Sequence, residues 1–247
     1  MANQYQQADV VEVWDAVSQD YDPKSYSGVD NEANVETVKA LYPDWSGRTV
    51  LEVGAGSGLS SLELARAGAQ VSLLDLSPKA LKFASQAFAK ANLPVTLIED
   101  DALALKHSLG AYDLVWNGGV IEHFVDEGKL ALMKMMYRAT KPGGVTFILV
   151  PNPLDLPYTI AKALLIITRR WVYGYEDDIH PARARRLVQI AQIPQAKVWS
   201  YNPVVGWWFL PLGKRLMNLF GRNTLKHHLA RSLFGHLTVI EIWKPKH

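Results

Sequence analysis

Three glycines at alternate positions, Gly54, Gly56 and Gly58, stand between the apolar run Val50–Val53 and an amphipathic stretch opening at Leu59. Residues without a Cβ turn sharply and admit close approach, so the pattern predicts a strand-to-helix turn built around a ligand. Its spacing argues against a dinucleotide fingerprint, because Gly58 comes one place early and the third glycine would fall at Leu59. A carboxylate, Glu52, also lies inside the end of the run, where that fingerprint gives no reason for one. More chemistry-bearing residues follow the later apolar runs. Asp75 closes Gln70–Leu74 and can accept from both hydroxyls of a ribose, while Ser77 is better placed to cap the helix that starts at Pro78. Asp101-Ala102 comes after Val95–Ile98, with Glu99 and Asp100 as rival acids. After Tyr112–Trp116 the chain reads Asn117-Gly118-Gly119-Val120-Ile121-Glu122-His123.

The set Glu52, Gly54, Gly56, Gly58 matches [D/E]-x-G-x-G-x-G and resembles motif I of the class I S-adenosylmethionine-dependent methyltransferases. With Asp75, Asp101-Ala102, the Asn117 segment and Lys141-Pro142-Gly143-Gly144, the resemblance covers about residues 10 to 150. It implies S-adenosyl-L-methionine as cofactor, with S-adenosylhomocysteine as product. Gly54, Ala55, Gly56 and Glu52 would meet the methionine half, and Asp75 the ribose. Asp101 would take the adenine amino group, between Leu76 and Ala102 as apolar walls. Asn117 would lie beside the methionine moiety, where cofactor meets acceptor. Tyr21 falls in a stretch that the family folds over the cofactor, and an aromatic face attracts a sulfonium by ~0.5–2 kcal/mol; a tyrosine packed on the domain edge is the alternative. His123 is the candidate catalytic residue. A histidine near neutral pKa can take the proton of an acceptor hydroxyl or amine, a contribution of ~10²–10⁴ in rate, with Glu122 as its orienter or as a cofactor ligand. A ring packed on the turn and bonded to a backbone carbonyl is the other reading. Alignment of two reactants can by itself contribute ~7–11 kcal/mol, so a base is not obligatory.

These residues need a scaffold that brings strand ends together. Alternating apolar runs and amphipathic stretches predict βαβ units and a mostly parallel sheet with helices on both faces, the Rossmann-like seven-stranded methyltransferase fold. Strands are expected at Thr49–Val53, Gln70–Leu74, Val95–Ile98, Tyr112–Trp116, Val145–Val150, Ala196–Tyr201 and Leu237–Trp243. Helices are expected near Gly58–Ala67, Pro78–Ala91, Glu127–Ala139, Tyr158–Trp171 and Pro181–Ala191, with Lys141–Gly144 turning into the fifth strand. Two earlier helices, Val10–Ser18 and Asn34–Leu41, are expected, the second capped by Asp30 or Asn31. One domain spans 1–247: an N-terminal helical cap (1–45), a cofactor-binding core (46–150), a lid (151–194), and the last two strands with a helical insertion between them (195–247).

Composition bounds the partners. A chain of 247 residues with 49% hydrophobic and 20% charged residues can bury a full α/β core, and no cysteine is present for disulfides or thiolate chemistry. The histidines are scattered, and His227-His228 are adjacent rather than spaced on a helical face, so no metal is expected. The polar N-terminus reads as a cytoplasmic start. Residues 151–247 carry 14 Lys and Arg against 5 Asp and Glu, leaving 12 against 19 in residues 1–150. Five of eight tryptophans also lie in the basic part, Trp171, Trp199, Trp207, Trp208 and Trp243. The segment Val204–Leu212, followed by Lys214 and Arg215, could line a hydrophobic acceptor pocket, meet a membrane surface, form a dimer contact or be the lid's own core, the last two ranking above membrane contact. The acceptor is expected to be a small molecule, hydrophobic or lipid-like, methylated on O or N. Nucleic acid is not expected, since basic residues are dispersed; the alternatives are an S-adenosylmethionine-binding protein without turnover and an RNA methyltransferase. In the lid, Tyr173, Tyr175, Glu176 and His180 are acceptor-site candidates.

Overall fold

Each apolar run of the core is followed by a connection long enough for a helix, which is the condition for parallel pairing. The computed structural model describes residues 7–21, 29–103, 109–194, 196–201, 205–210 and 232–246. Helices α1 (Gln7–Val17) and α2 (Val29–Lys39) precede β1 (Thr49–Val53). Then follow α3 (Leu59–Arg66), β2 (Gln70–Asp75), α4 (Pro78–Lys90), β3 (Thr96–Glu99), β4 (Tyr112–Gly118), α5 (Asp126–Ala139) and β5 (Thr140–Pro151). The chain ends with α6 (Leu156–Ile167), α7 (Pro181–Ile190), β6 (Ala196–Tyr201) and β7 (Leu237–Trp243). The sheet is seven-stranded in the order β3-β2-β1-β4-β5-β7-β6. β1 to β5 pair in parallel, and β7 lies antiparallel between β5 and β6.

The central strands are buried on both faces, as parallel strands under two helical layers must be. Val50, Leu73, Leu114 and Phe147 pack with α3 and α4 on one face. Leu51, Leu74, Val115 and Ile148 pack with α5 and α7 on the other. Because side chains alternate, Glu52 and Trp116 share the α3 face, while Asn117 belongs to the α5 face.

Several boundaries depart from the sequence expectation for identifiable reasons. α2 begins at Val29, five residues before the expected start, so Asp30 and Asn31 lie inside the helix and not ahead of it. Lys141–Gly144 do not form a turn ahead of β5. Thr140 already pairs with Tyr112, and the register shifts before Leu114 meets Val145, so the four residues bulge within one long strand. α6 starts two residues earlier than expected, at a Pro157-containing first turn capped by Asp155, and stops at Ile167 ahead of Arg169 in a left-handed conformation. Between β6 and β7 the described part of the insertion includes a 3-10 turn at Val205–Phe209; Val204, Pro211–Arg215 and His227-His228 lie outside the described residues. No described helix is long and apolar enough to cross a membrane.

Gly58 shows why the turn after β1 needs glycine. It has φ +65°, and a Cβ there would lie 2.6 Å from Leu73 Cδ1 and 3.0 Å from the Ala84 Cβ, in the seam between β2 and α4. Gly47 has a similar φ of +71° with nothing within 4 Å of a Cβ. Gly58→Ala should therefore combine left-handed strain with overpacking and cost ~2–4 kcal/mol, against ~1–2 kcal/mol for Gly47→Ala. Urea denaturation of both variants measures the difference, and equal losses would show that the seam does not constrain the turn.

Candidate active site

The glycine turn and the end of β2 are tied by backbone and carboxylate together. Leu74 pairs with Val53, so Asp75 lies one residue beyond the last rung, at the C-terminal edge of the sheet. Ala55 N–H donates to the Leu74 carbonyl at 3.0 Å, carrying the ladder into the turn. Asp75 then accepts from Gly56 N–H at 2.7 Å through one oxygen and from Ser77 N–H at 2.8 Å through the other. Each oxygen keeps a lone pair for a further donor. Burial raises the Asp75 pKa, and these N–H donors oppose it. Ser77 is the cap of α4, accepting from Ala80 N–H at 3.1 Å.

Above the turn lies the N-terminal segment. The Tyr21 hydroxyl is 2.9 Å from where a Cβ on Gly56 would stand, so only glycine leaves room there. Its ring meets Phe83 edge-on at 5.5 Å, and burial with the nearby Asp75 holds the phenol protonated. Below the turn Glu52 is buried, its pKa pushed up to about 8 by desolvation, and its Oε2 has no hydrogen-bond partner. A tight glycine turn under Tyr21, a two-oxygen acceptor at Asp75 and an orphaned carboxyl oxygen at Glu52 fit a ligand with a ribose and an amino-acid end, as S-adenosylmethionine has.

Three other expected residues, Asp101, Leu76 and Ala102, follow the ends of β2 and β3. Asp100 N–H donates to the Asp75 carbonyl at 3.3 Å, which draws the turn after β3 toward this edge. Asp101 is half-buried and accepts from Leu103 N–H at 2.8 Å, while Leu76 and Ala102 are half-buried beside these acids. Asn117 is not gathered with them. Its amide donates to Met136 Sδ at 3.4 Å on the α5 face, fully buried and with Oδ1 unpartnered, so its side chain points away from Glu52 and Asp75.

A second group of residues forms around the 3-10 turn Ile121–His123 at the end of β4. His123 Nδ1 is 2.8 Å from the Tyr175 carbonyl, and Nε2 is 3.9 Å from Glu176 Oε1. A carbonyl only accepts, so the neutral ring carries its proton on Nδ1 and leaves a lone pair on Nε2. Burial lowers the His123 pKa; the Tyr175 carbonyl and, more weakly, the Gly119 carbonyl pull it upward, and the charges of Lys162 and Lys129 depress it further. Trp14 of α1 meets the imidazole edge-on at 5.0 Å, and Tyr173 lies 6.5 Å from Trp14. Glu122 is expected to orient His123 or to bind the cofactor; the hydrogen bond that sets the ring is instead accepted by the Tyr175 carbonyl. Glu122 is buried with Oε2 unpartnered and its pKa pushed up to about 8, and its backbone carbonyl accepts from Asp177 N–H at 2.9 Å.

The lid loop is held by cations that the sequence did not single out. Lys162 of α6 reaches Glu176 at 2.8 Å and Asp178 at 2.7 Å, and Tyr158 donates to Glu176 at 3.4 Å. Lys129 and Arg183 pair with Asp177 at 2.8 and 2.6 Å. The one available signal was a lysine interrupting an apolar helix, since a buried charge demands partners. Donor atoms of Glu122, His123 and Glu176 lie within 4.8 Å of one another, a spacing that would admit a cation. Sequence spacing could not show this group, because Glu176 arrives from the lid. The positive charge that Glu176 meets here is the Lys162 ammonium. His180 instead caps α7, accepting from Ala182 N–H at 3.2 Å.

Comparison with known proteins agrees with this architecture. Residues 50–144 match the family model described as a methyltransferase domain. The chain is 30% identical over 190 residues to the ubiquinone biosynthesis O-methyltransferase of Psychrobacter cryohalolentis, covering 74% of this chain and 70% of that protein. It is 28% identical over 176 residues to the enzyme of the same description from Caulobacter vibrioides, covering 68% and 69%. In fold it resembles magnesium protoporphyrin IX methyltransferase from Synechocystis PCC 6803, solved with bound S-adenosylhomocysteine, at a TM-score of 0.65 and 17% identity over 97% of this chain and 100% of that one. With the glycine turn, the Asp75 strand end and the β3-β2-β1-β4-β5-β7-β6 sheet in place, the chain belongs to the class I S-adenosylmethionine-dependent methyltransferases that act on small molecules.

Proposed function

We propose that this methyltransferase modifies a hydroxyl oxygen of a small apolar molecule, with His123 Nε2 as the base that takes the hydroxyl proton. The observation that carries the reading is the His123 ring, neutral by burial and held by the Tyr175 carbonyl at 2.8 Å so that Nε2 keeps its lone pair. Oxygen as the acceptor atom is supported by the description of the similar proteins as O-methyltransferases. Bound S-adenosylmethionine supplies an electrophilic methyl carbon on a sulfonium. Asp75 would hold the ribose through the free lone pairs of its two oxygens, Asp101 the adenine amino group between Leu76 and Ala102, and the Gly54-Ala55-Gly56 backbone the methionine end above Glu52. Tyr21 would cover the sulfonium from above Gly56. His123 would then receive the proton on Nε2 as the oxygen attacks.

An apolar acceptor is supported by the outer face of α6. Leu156, Ile160, Leu164 and Ile167 are all exposed at spacings that place them on one helical stripe. Trp207 and Phe209 are also exposed, and Phe209 meets Tyr158 of α6 at 5.4 Å. Tyr158, on the opposite, buried face of the helix, reaches Glu176 beside His123, so α6 stands between the stripe and the His123 site. We read the stripe as the seat of the acceptor's apolar part.

Tritiated-methyl transfer to a panel of long-chain alkylphenols, alkyl alcohols and alkylamines tests the acceptor: label should enter the hydroxyl compounds, and label confined to the amines would overturn the assignment. Asp75→Ala should weaken S-adenosylhomocysteine binding ~10–100-fold by calorimetry, the loss of charged hydrogen bonds contributing ~1.5–3 kcal/mol. In single turnover His123→Ala should be slower by ~10²–10⁴, and a wild-type rate would remove the base. The base works only when neutral and its pKa lies below the ordinary 6.5. The wild-type rate should therefore be flat above that pH and fall only through a midpoint beneath it, a profile that the alanine variant should lack.

A further inference from the structure

The hydrogen bond that orients His123 depends on a loop that is electrostatically unfavourable on its own. Glu176, Asp177 and Asp178 are adjacent acids, and like charges this close repel unless cations are supplied. Asp177 is served from outside the site by Lys129 and Arg183. Glu176 and Asp178 share a single ammonium, Lys162, at 2.8 and 2.7 Å. That lysine is 8% exposed, with its Nζ 5.1 Å from the Trp171 ring and 5.8 Å from the Tyr158 ring. An ammonium so enclosed is stable only with its carboxylates in place, and the carboxylates only with the ammonium. Tyr175, whose carbonyl meets His123, immediately precedes Glu176 in the chain.

We propose that Lys162 is a positioning residue for His123. By pairing with Glu176 and Asp178 together it seats the Tyr175 carbonyl on Nδ1 and so decides which ring nitrogen faces the acceptor. Its role in turnover rests on the reading of His123 as the base.

The tautomer of a histidine ring can be read without knowing the acceptor. Long-range ¹H–¹⁵N NMR spectra of ¹⁵N-histidine-labelled protein saturated with S-adenosylhomocysteine give it directly, and the signal missing from His123→Asn assigns it. Wild type and Lys162→Arg should show the ring protonated on Nδ1 alone. Lys162→Met should lose that single-tautomer signature while binding S-adenosylhomocysteine as wild type does. Should Lys162→Met fail to fold, Glu176→Gln combined with Asp178→Asn removes the same pairing from the other side and should give the same loss. A ring still protonated on Nδ1 alone in either variant would overturn the proposal. The two readings fail separately: wild-type methyl transfer by His123→Ala removes the base, whereas an unchanged tautomer removes only the positioning role.

Discussion

The backbone after β1 has to leave the sheet, reverse and enter α3 without blocking the strand ends, and the contact that fixes this path is the Asp75 carboxylate. It accepts from Gly56 N–H in the turn and from Ser77 N–H ahead of α4. Two βα turns are thereby locked to one side chain at the place where parallel sheets bind ligands, outside the carboxyl ends of their strands. The remaining site features are arranged around that lock. Tyr21 lies over Gly56, the Asp100 amide reaches the Asp75 carbonyl, and Glu52 is enclosed beneath the turn.

Around His123 the organising force is charge pairing under partial burial. Three consecutive acids of the loop after α6 are matched by cations from three helices, Asp177 by Lys129 of α5 and Arg183 of α7, and Glu176 and Asp178 together by Lys162 of α6. Removal of either partner from such an enclosed pair leaves an uncompensated charge, a far larger penalty than loss of an exposed ion pair. Backbone contacts complete the closure. The Asp177 amide bonds the Glu122 carbonyl, and the Tyr175 carbonyl bonds His123. The lid thus contributes the orientation of a side chain that belongs to the core.

Strong local signals made most of the fold legible. The bounds of β1, β6 and β7 follow the apolar alternation, and Ser77 with Pro78 marks the start of α4 through cap chemistry. Elements whose ends depend on distant pairing were less legible. Lys141–Gly144 carry turn-like residues, yet the partner strand holds them within β5 through a register shift. Asn117 was legible as a strand-end polar residue but not as to its face, because one place along a strand reverses the side chain and only the packing of Met136 shows which side it takes.

The sequence by itself determined the cofactor side of this protein. Glycine spacing, a carboxylate at a strand end and a proline after a capping serine are local requirements, each readable within a few residues because backbone geometry imposes them. Only the tertiary structure decided the cluster around His123. Tyr175, Glu176 and Lys162 meet Glu122 and His123 across more than thirty residues of chain, and Trp14 arrives from the opposite end. No spacing rule joins those segments; burial of unlike charges and the need of each enclosed polar group for a partner bring them together.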